Sequence, residues 1–145
     1  MGFGGACRME PKVVSYISEL GQKGLWDFAT LELGINALTW EEEKIYERVR
    51  MVLDEIPGKN PDKPVVVISP FYCYNDAREA GKAKRWREII EEVVAEKAYP
   101  NVTYISGLEL LDGPQYLCCD CLHPSAFGYM TIASRLIPHL EAWKQ

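Results

Sequence analysis

The sequence predicts a three-layer α/β protein in which helices cover both faces of a parallel sheet. Helical and strand-like patterns alternate along the chain, and such alternation is typical of parallel sheets with crossover helices. The run Val65–Ile68 contains only β-branched residues, as expected of a strand that is buried on both faces. No repeat, low-complexity tract or linker interrupts the sequence, so we expect one domain over residues 1–145.

The first half of the chain contains two helix patterns separated by a strand pattern. A helix is predicted over residues 10–23, because Pro11 suits a first helical turn and apolar residues then recur at helical spacing. Residues 26–33 are rich in apolar and aromatic side chains, which favours a strand. Thr39 is expected to open the next helix, with Glu42 as its capping-box partner.

The second half repeats the alternation and adds a long loop before a closing helix. Strands are predicted at Val65–Ile68 and Val102–Ile105, with a helix around residues 86–94 and a final helix over residues 125–143. The carboxyl ends of parallel strands meet at one edge of the sheet, where such folds bind their ligands. The loops that leave those ends, and in which we expect the chemistry, span residues 34–38, 69–78 and 106–124.

Composition and charge exclude several classes of function. A net charge of -5 without a basic stripe argues against a nucleic-acid surface. The apolar stretches are shorter than the roughly 20 residues that a membrane span needs, and the N-terminus lacks the pattern of a secretion signal. The five cysteines are odd in number and unevenly spaced, so we expect mostly free thiols and a cytoplasmic protein.

Asp120 and His123 are the first candidate pair for chemistry. They lie three residues apart in the loop ahead of the last helix. Histidine is the usual general base near neutral pH, and a carboxylate that reaches its imidazole fixes the tautomer and stabilises the imidazolium. The spacing alone is common and more often reflects an aspartate that caps a turn beside an exposed histidine. We interpret the pair as a candidate base and its orienting carboxylate.

Two further positions carry groups that can stabilise an oxyanion. The amide of Asn36 follows the first strand pattern, and the backbone N–H groups of Gly4 and Gly5 precede the first helix pattern. Both kinds of donor serve developing negative charge in acyl transfer. Each position also has a plain structural alternative, namely a turn asparagine and a flexible glycine-rich terminus.

The cysteines around Asp120 raise the alternative of a metal site. Cys119 and Cys121 are separated by one residue, whereas zinc ligands usually leave room for the loop to fold around the ion. No second cluster of ligands occurs elsewhere in the sequence. Metal binding and a cysteine nucleophile beside His123 are therefore the less favoured interpretations, and we expect neither a metal nor a cofactor.

Three segments together resemble blocks of the SGNH, or GDSL-type, hydrolase family. Residues 120–129 are similar to the fifth block, Asp-x-x-His-Pro followed by a helix that contains a glycine. Residues 31–37 are similar to the third block, Gly-x-Asn-Asp, although Ala37 stands where the aspartate is usual. Residues 2–6 resemble the second block. The resemblance covers essentially the whole chain, in the order of the family.

The resemblance implies a flavodoxin-like SGNH fold and a serine ester hydrolase that works through an acyl-enzyme. His123 would be the base, Asp120 its orienting residue, and Gly5 and Asn36 the oxyanion donors. Gly4 is the less favoured choice for the glycine donor. The implied substrate is a small ester, as for an esterase, a lipase, an acylhydrolase or a carbohydrate deacetylase.

The first block of the family, in which a strand is followed by the nucleophilic serine, has no counterpart in this sequence. Ser15 and Ser18 fall within the first predicted helix, and Ser125 belongs to the fifth block. The fold would accordingly be truncated to about three parallel strands. We expect the serine to lie outside this chain and the isolated chain to be inactive.

The resemblance also implies an exposed strand. The strand at residues 26–33 would form the edge of the truncated sheet, and an apolar edge tends to pair with another strand. We expect a homodimer through this edge or association with a separate N-terminal piece. The alternative to an esterase is a catalytically inactive remnant that acts as a binding or interaction module.

Overall fold

Three short parallel strands form the sheet of the protein, in a computed structural model that describes residues 8–78 and 81–141. The strands are β1 (Ala29–Glu32), β2 (Val65–Ile68) and β3 (Val102–Ile105). β2 lies in the centre and pairs with both neighbours, so that β1 and β3 are the two edges. The predicted α/β fold with about three parallel strands is confirmed.

Helices cover both faces of this sheet. The α-helices of the described residues are α1 (Pro11–Gln22), α2 (Glu42–Glu55), α3 (Tyr74–Arg78), α4 (Lys82–Lys97), α5 (Gly107–Leu110) and α6 (Ala126–Glu141). Short 3₁₀ turns lie at Ile35–Ala37 and Pro114–Tyr116. None of the helices in the described part of the chain combines the length and the apolar character that crossing a bilayer requires.

The alternation of side chains along β2 divides the interior into two cores. Val65 and Val67 belong to the larger core, together with apolar residues of α1, α2 and α4. Val66 and Ile68 belong to a smaller core with Ile105 of β3, against which α6 packs. β2 is therefore buried on both faces, as its β-branched sequence predicts, and the architecture has three layers.

Two predicted boundaries are wrong. β1 begins at Ala29 instead of residue 26, because Trp26 folds back on α1 and its indole N–H donates to the carbonyl of Ile17 at 2.9 Å. α2 begins at Glu42, and its N-cap makes no side-chain hydrogen bond. Thr39 therefore lies outside the helix, and the predicted capping box is absent.

Candidate active site

Asp120 and His123 lie at the tip of a hairpin between β3 and α6. Leu117 pairs with Pro124 in an antiparallel bridge at the base of this hairpin. The side chain of Leu122 packs against the larger core, whereas the side chains of Asp120 and His123 are exposed. The hairpin is thus anchored by Leu122 and presents the two polar side chains to solvent.

The carboxylate of Asp120 accepts hydrogen bonds from three groups. Its Oδ2 lies 2.7 Å from Nδ1 of His123, and its Oδ1 accepts the backbone N–H groups of Leu122 at 2.9 Å and His123 at 3.0 Å. The bond to the imidazole, with the two backbone bonds, lowers the pKa of Asp120 from 3.8 to about 2. The side-chain contact that the sequence predicts is therefore present, and the carboxylate is ionised at neutral pH.

This contact determines which nitrogen of the imidazole is available. With the neutral ring donating its Nδ1 proton to Asp120, Nε2 is the acceptor nitrogen. Among the described residues, no side chain or backbone group makes a hydrogen bond to Nε2 of His123. The ring is oriented to take a proton at this position, as a general base does.

The serine nearest in sequence to His123 is engaged elsewhere. The hydroxyl of Ser125 donates to the carbonyl of Tyr116 at 2.9 Å and accepts the N–H of Gly128 at 3.1 Å. All six serines of the sequence fall in the described ranges, and none of their hydroxyl groups bonds to the imidazole. The described residues therefore contain an Asp–His pair without a serine partner.

Asn36 lies in the 3₁₀ turn immediately after β1, and its side chain is exposed at the carboxyl end of the sheet. Gly34 begins this turn with a φ of 104°, a conformation that side-chain-bearing residues rarely adopt. The indole N–H of Trp86 in α4 donates to the carbonyl of Ala37 at 3.0 Å and holds the turn in place. The role of Asn36 as an oxyanion donor stays a prediction, while Gly4 and Gly5 lie outside the described residues.

The loop after β2 is bonded directly to the hairpin. The N–H of Tyr74 donates to the carbonyl of Cys121 at 2.9 Å, and the N–H of Tyr72 donates to that of Leu111 at 3.0 Å. At the strand ends, Oγ of Ser69 accepts the N–H of Gly107 at 3.1 Å. The loops after β2 and β3 therefore form one continuous wall at the carboxyl edge of the sheet.

A largely buried ion pair supports this wall from behind. The guanidinium of Arg87 in α4 pairs with the carboxylate of Asp76 in α3, and these side chains are 8% and 14% exposed. Arg87 also donates to the carbonyl of Pro70 at 3.3 Å, and Asp76 accepts the N–H of Cys73 at 3.0 Å. The pair fixes the path of the loop after β2, where the sequence shows only isolated charges.

A cleft of about 610 Å³ lies beside Asp120. The side chains that shape it include Tyr72, Tyr74, Arg78, Pro114 and Leu117. Tyr72 and Tyr74 of the loop after β2 both line the cleft. The sequence gave no reason to single out Arg78 or Pro114, whose only signal was their position in two loops at the carboxyl edge.

The fold is shared with solved structures of ester-hydrolysing and acyl-transferring proteins. A salicylyl-acyltransferase from a tetracycline biosynthetic pathway matches 95% of this chain with a TM-score of 0.77 and 19% identity. A GDSL-like lipase from Bacteroides ovatus matches 95% of it with a TM-score of 0.74 and 20% identity. A family 3 carbohydrate esterase from Clostridium thermocellum matches 92% of it with a TM-score of 0.65 and 21% identity.

The matches cover most of this chain but a smaller share of each solved structure. The chain spans 42% and 41% of the first two structures and 67% of the carbohydrate esterase. No protein-family model matches the sequence, and a search of curated proteins finds no match. At these identities the comparison establishes the fold. The chain therefore has the three-layer α/β fold of SGNH-type esterases, over the part of that fold that it spans.

Proposed function

We propose that this chain supplies the base half of a serine ester hydrolase, and that the nucleophilic serine comes from a segment outside this sequence. The main support for this proposal is the Asp120–His123 pair, in which Nδ1 of His123 is hydrogen-bonded to the Asp120 carboxylate and Nε2 is available. An imidazole held in this way takes the proton of an attacking serine hydroxyl and returns it to the leaving alcohol. In the proposal, Asn36 and Gly5 donate to the oxyanion.

The cleft beside Asp120 is the proposed site for the ester. Its aromatic and apolar lining residues suit the acyl or alcohol part of a small ester, and Asp120, which orients His123, also lines it. The structures with the same fold support ester chemistry, since their names describe a lipase, a carbohydrate esterase and an acyltransferase. The proposal does not distinguish between acyl groups.

The sheet face that carries α6 supports a docking position for the proposed serine-bearing segment. α6 packs on β2 and β3, whose residues Val66, Ile68 and Ile105 are buried. Thr30 of β1 lies opposite Val66 in the strand register, and hence on the same face, but it is exposed. Among the described residues, this half of the face is therefore open at Thr30, whereas Glu32, which follows on the same face opposite Ile68, is partly buried.

Exposed apolar residues of α6 flank the open half. Tyr129, Met130 and Ile137 are 59%, 71% and 49% exposed and share one side of the helix. On the other side, Arg135 contacts Asp112 at 3.2 Å and so faces the segment after β3. The apolar side consequently faces β1. We call Tyr129, Met130 and Ile137 the α6 stripe.

Spacing favours a strand–helix segment over a second copy as the occupant. A strand paired with β1 lies about 4.8 Å from it, and a helix above the new pair packs roughly 9 Å from α6, a normal helix–helix distance. Two copies paired through β1 alone would hold their α6 helices roughly 19 Å apart. The stripe would then stay uncovered. We therefore favour the separate N-terminal piece over the homodimer.

The test is to read the coding DNA upstream of Met1 and express this chain with whatever it encodes in frame. A strand followed by Gly-Asp-Ser or Gly-x-Ser is expected, and the longer protein should hydrolyse a short-chain p-nitrophenyl ester. His123→Ala should lower kcat/KM by on the order of 10³ or more. A stop codon close upstream would count against the proposal.

The isolated chain provides the complementary experiment. It should not hydrolyse p-nitrophenyl acetate above the rate of its His123→Ala variant. Hydrolysis that His123→Ala abolishes would show that the nucleophile lies within this chain. Absence of turnover in a longer protein that contains the serine would favour the inactive binding module instead.

A further inference from the structure

The hairpin tip carries three exposed cysteines to which the proposed hydrolysis assigns no catalytic role. Cys118, Cys119 and Cys121 are free thiols around Asp120. Cys118 and Cys121 have the C-x-x-C spacing that redox-active pairs use. Cys73 differs from them, because it is buried and burial raises the pKa of its thiol, which suppresses reaction.

The backbone already holds Cys118 and Cys121 close together. The N–H of Cys121 donates to the carbonyl of Cys118 at 2.9 Å, and the N–H of Cys118 donates to the carbonyl of His123 at 2.8 Å. The first of these bonds closes a β-turn, in which the outer Cα atoms lie within about 7 Å. Disulfides usually join Cα atoms about 4.4 to 6.8 Å apart. The turn thus meets the main geometric requirement.

Only weak hydrogen bonds hold the two thiol groups in their present positions. Sγ of Cys118 lies 3.4 Å from the carbonyl oxygen of Pro124, and Sγ of Cys121 lies 3.9 Å from that of Cys119. Thiols are weak donors, so little opposes rotation about χ1. Cys119 is separated from Cys121 by one residue and is adjacent to Cys118, so its disulfides would close tighter rings.

We propose that Cys118 and Cys121 form a reversible disulfide that closes the turn around Asp120. The oxidant is a small-molecule disulfide such as oxidised glutathione. One cysteine thiolate attacks it and releases one glutathione thiolate, and the second cysteine then attacks the mixed disulfide and releases the other. The two cysteines lose two electrons and two protons, and two glutathione thiols are formed.

The disulfide preserves the orientation of Asp120, because the ring it closes matches the existing turn. Asp120 lies between the two cysteines, and its Oδ1 accepts the N–H groups of Leu122 and His123. Opening of the turn exposes these amides to water. Oxidation should therefore slow their hydrogen exchange several-fold, whether or not the protein is an esterase.

Mass spectrometry of the reduced chain before and after treatment with oxidised glutathione tests the bond. We expect an intact mass lower by two hydrogen atoms, reversed by dithiothreitol. Cleavage of the peptide bond on the N-terminal side of Asp120 should leave the peptide with Cys118 and the peptide with Cys121 joined by the disulfide. Cys119→Ser, the matched control, should retain the mass loss, whereas Cys118→Ser and Cys121→Ser should abolish it. No mass loss, or a loss that persists in either of the last two variants, would overturn the proposal.

Hydrogen exchange of Cys119→Ser, measured by NMR in both redox states, tests the consequence. Slower exchange at Leu122 and His123 in the oxidised form, with the amides of β2 unchanged, is the expected result. Exchange that is equal or faster after oxidation would show that the disulfide does not hold the turn.

Discussion

Asp120 combines two roles that often belong to different side chains. One oxygen caps two backbone N–H groups of its own hairpin, and the other orients the imidazole of His123. The spacing in the sequence left open a choice between a turn cap and an orienting carboxylate. The structure shows that the two are not alternatives, since the cap places the carboxylate in reach of the ring.

His123→Ala should raise the pKa of Asp120 from about 2 toward 3.8, because the imidazole bond is the largest cause of the shift. Because the pKa of Asp120 is lower in the native state than in the unfolded chain, its ionised form stabilises the fold. The stabilisation is present above the unfolded pKa and is lost as the pH falls from about 4 toward 2. Carboxyl ¹³C NMR titration measures this, with His139→Ala as the control. An unchanged pKa in His123→Ala would contradict the assignment.

Glu32, at the end of β1, is expected to make stability depend on pH in the opposite direction. Burial raises its pKa from 4.5 to about 7, so the native state retains a proton that the unfolded chain loses between these values. Stability should therefore fall as the pH rises through that window. Glu32→Gln should raise the free energy of unfolding by roughly 2 kcal/mol near pH 8 and have little effect near pH 4.5.

Urea unfolding at the two pH values measures the effect of Glu32→Gln. Glu47→Gln is a suitable control, because the side chain of Glu47 is 72% exposed. A gain that is equal at both pH values would show that burial of the charge is not its cause.

Among the elements, the turn after β1 depends on one glycine. Gly34 has a φ of 104°, and a Cβ there would lie 3.1 Å from Pro70 and 3.2 Å from Ile90. Gly34→Ala should cost roughly 2 to 3 kcal/mol in chemical denaturation. Gly24 has a φ of 70° with open space around it, so Gly24→Ala should cost only about 1 kcal/mol. Equal costs would contradict a role for crowding at Gly34.

Elements with strong periodic patterns were predictable, whereas short ones governed by distant contacts were not. β2 and β3 are observed with the predicted bounds. The β-branched run of β2 specifies a strand buried on both faces, and β3 contains β-branched and aromatic residues that favour strands. The capping box predicted at Thr39 is absent, and one is found instead at Ser106 and Glu109, where α5 begins. α3 depends on the pair between Asp76 and Arg87, a contact that the local sequence does not reveal.

At the scale of the whole molecule, the open half of the sheet should make the isolated chain associate with itself. Light scattering should show an average mass that rises with concentration, because exposed apolar surface and an edge strand both promote association. Met130→Lys combined with Ile137→Lys should reduce the rise. Gln22→Lys, at an exposed position of α1 on the other face of the sheet, should not. A monodisperse monomer, with no second polypeptide present, would contradict the proposed docking surface.

The edge position of β1 followed from the family resemblance, and the structure confirms it. The α6 stripe was not predictable, because apolar residues in an amphipathic helix look the same in sequence whether they are buried or exposed. Only the register of Thr30 with Val66, and the contacts of Arg135, show which side of α6 is uncovered. The glycine proposed as an oxyanion donor, Gly5 or the less favoured Gly4, lies outside the described residues and stays a prediction.

The hydrogen bond between the N–H of Tyr74 and the carbonyl of Cys121 has a mechanical consequence. It joins an aromatic wall of the cleft to the hairpin that carries His123, so that a displacement of either is transmitted to the other. An ester that fills the cleft would press on the tyrosine and thereby adjust the position of the base. Binding of an ester in the cleft and alignment of the His123 imidazole would then be coupled.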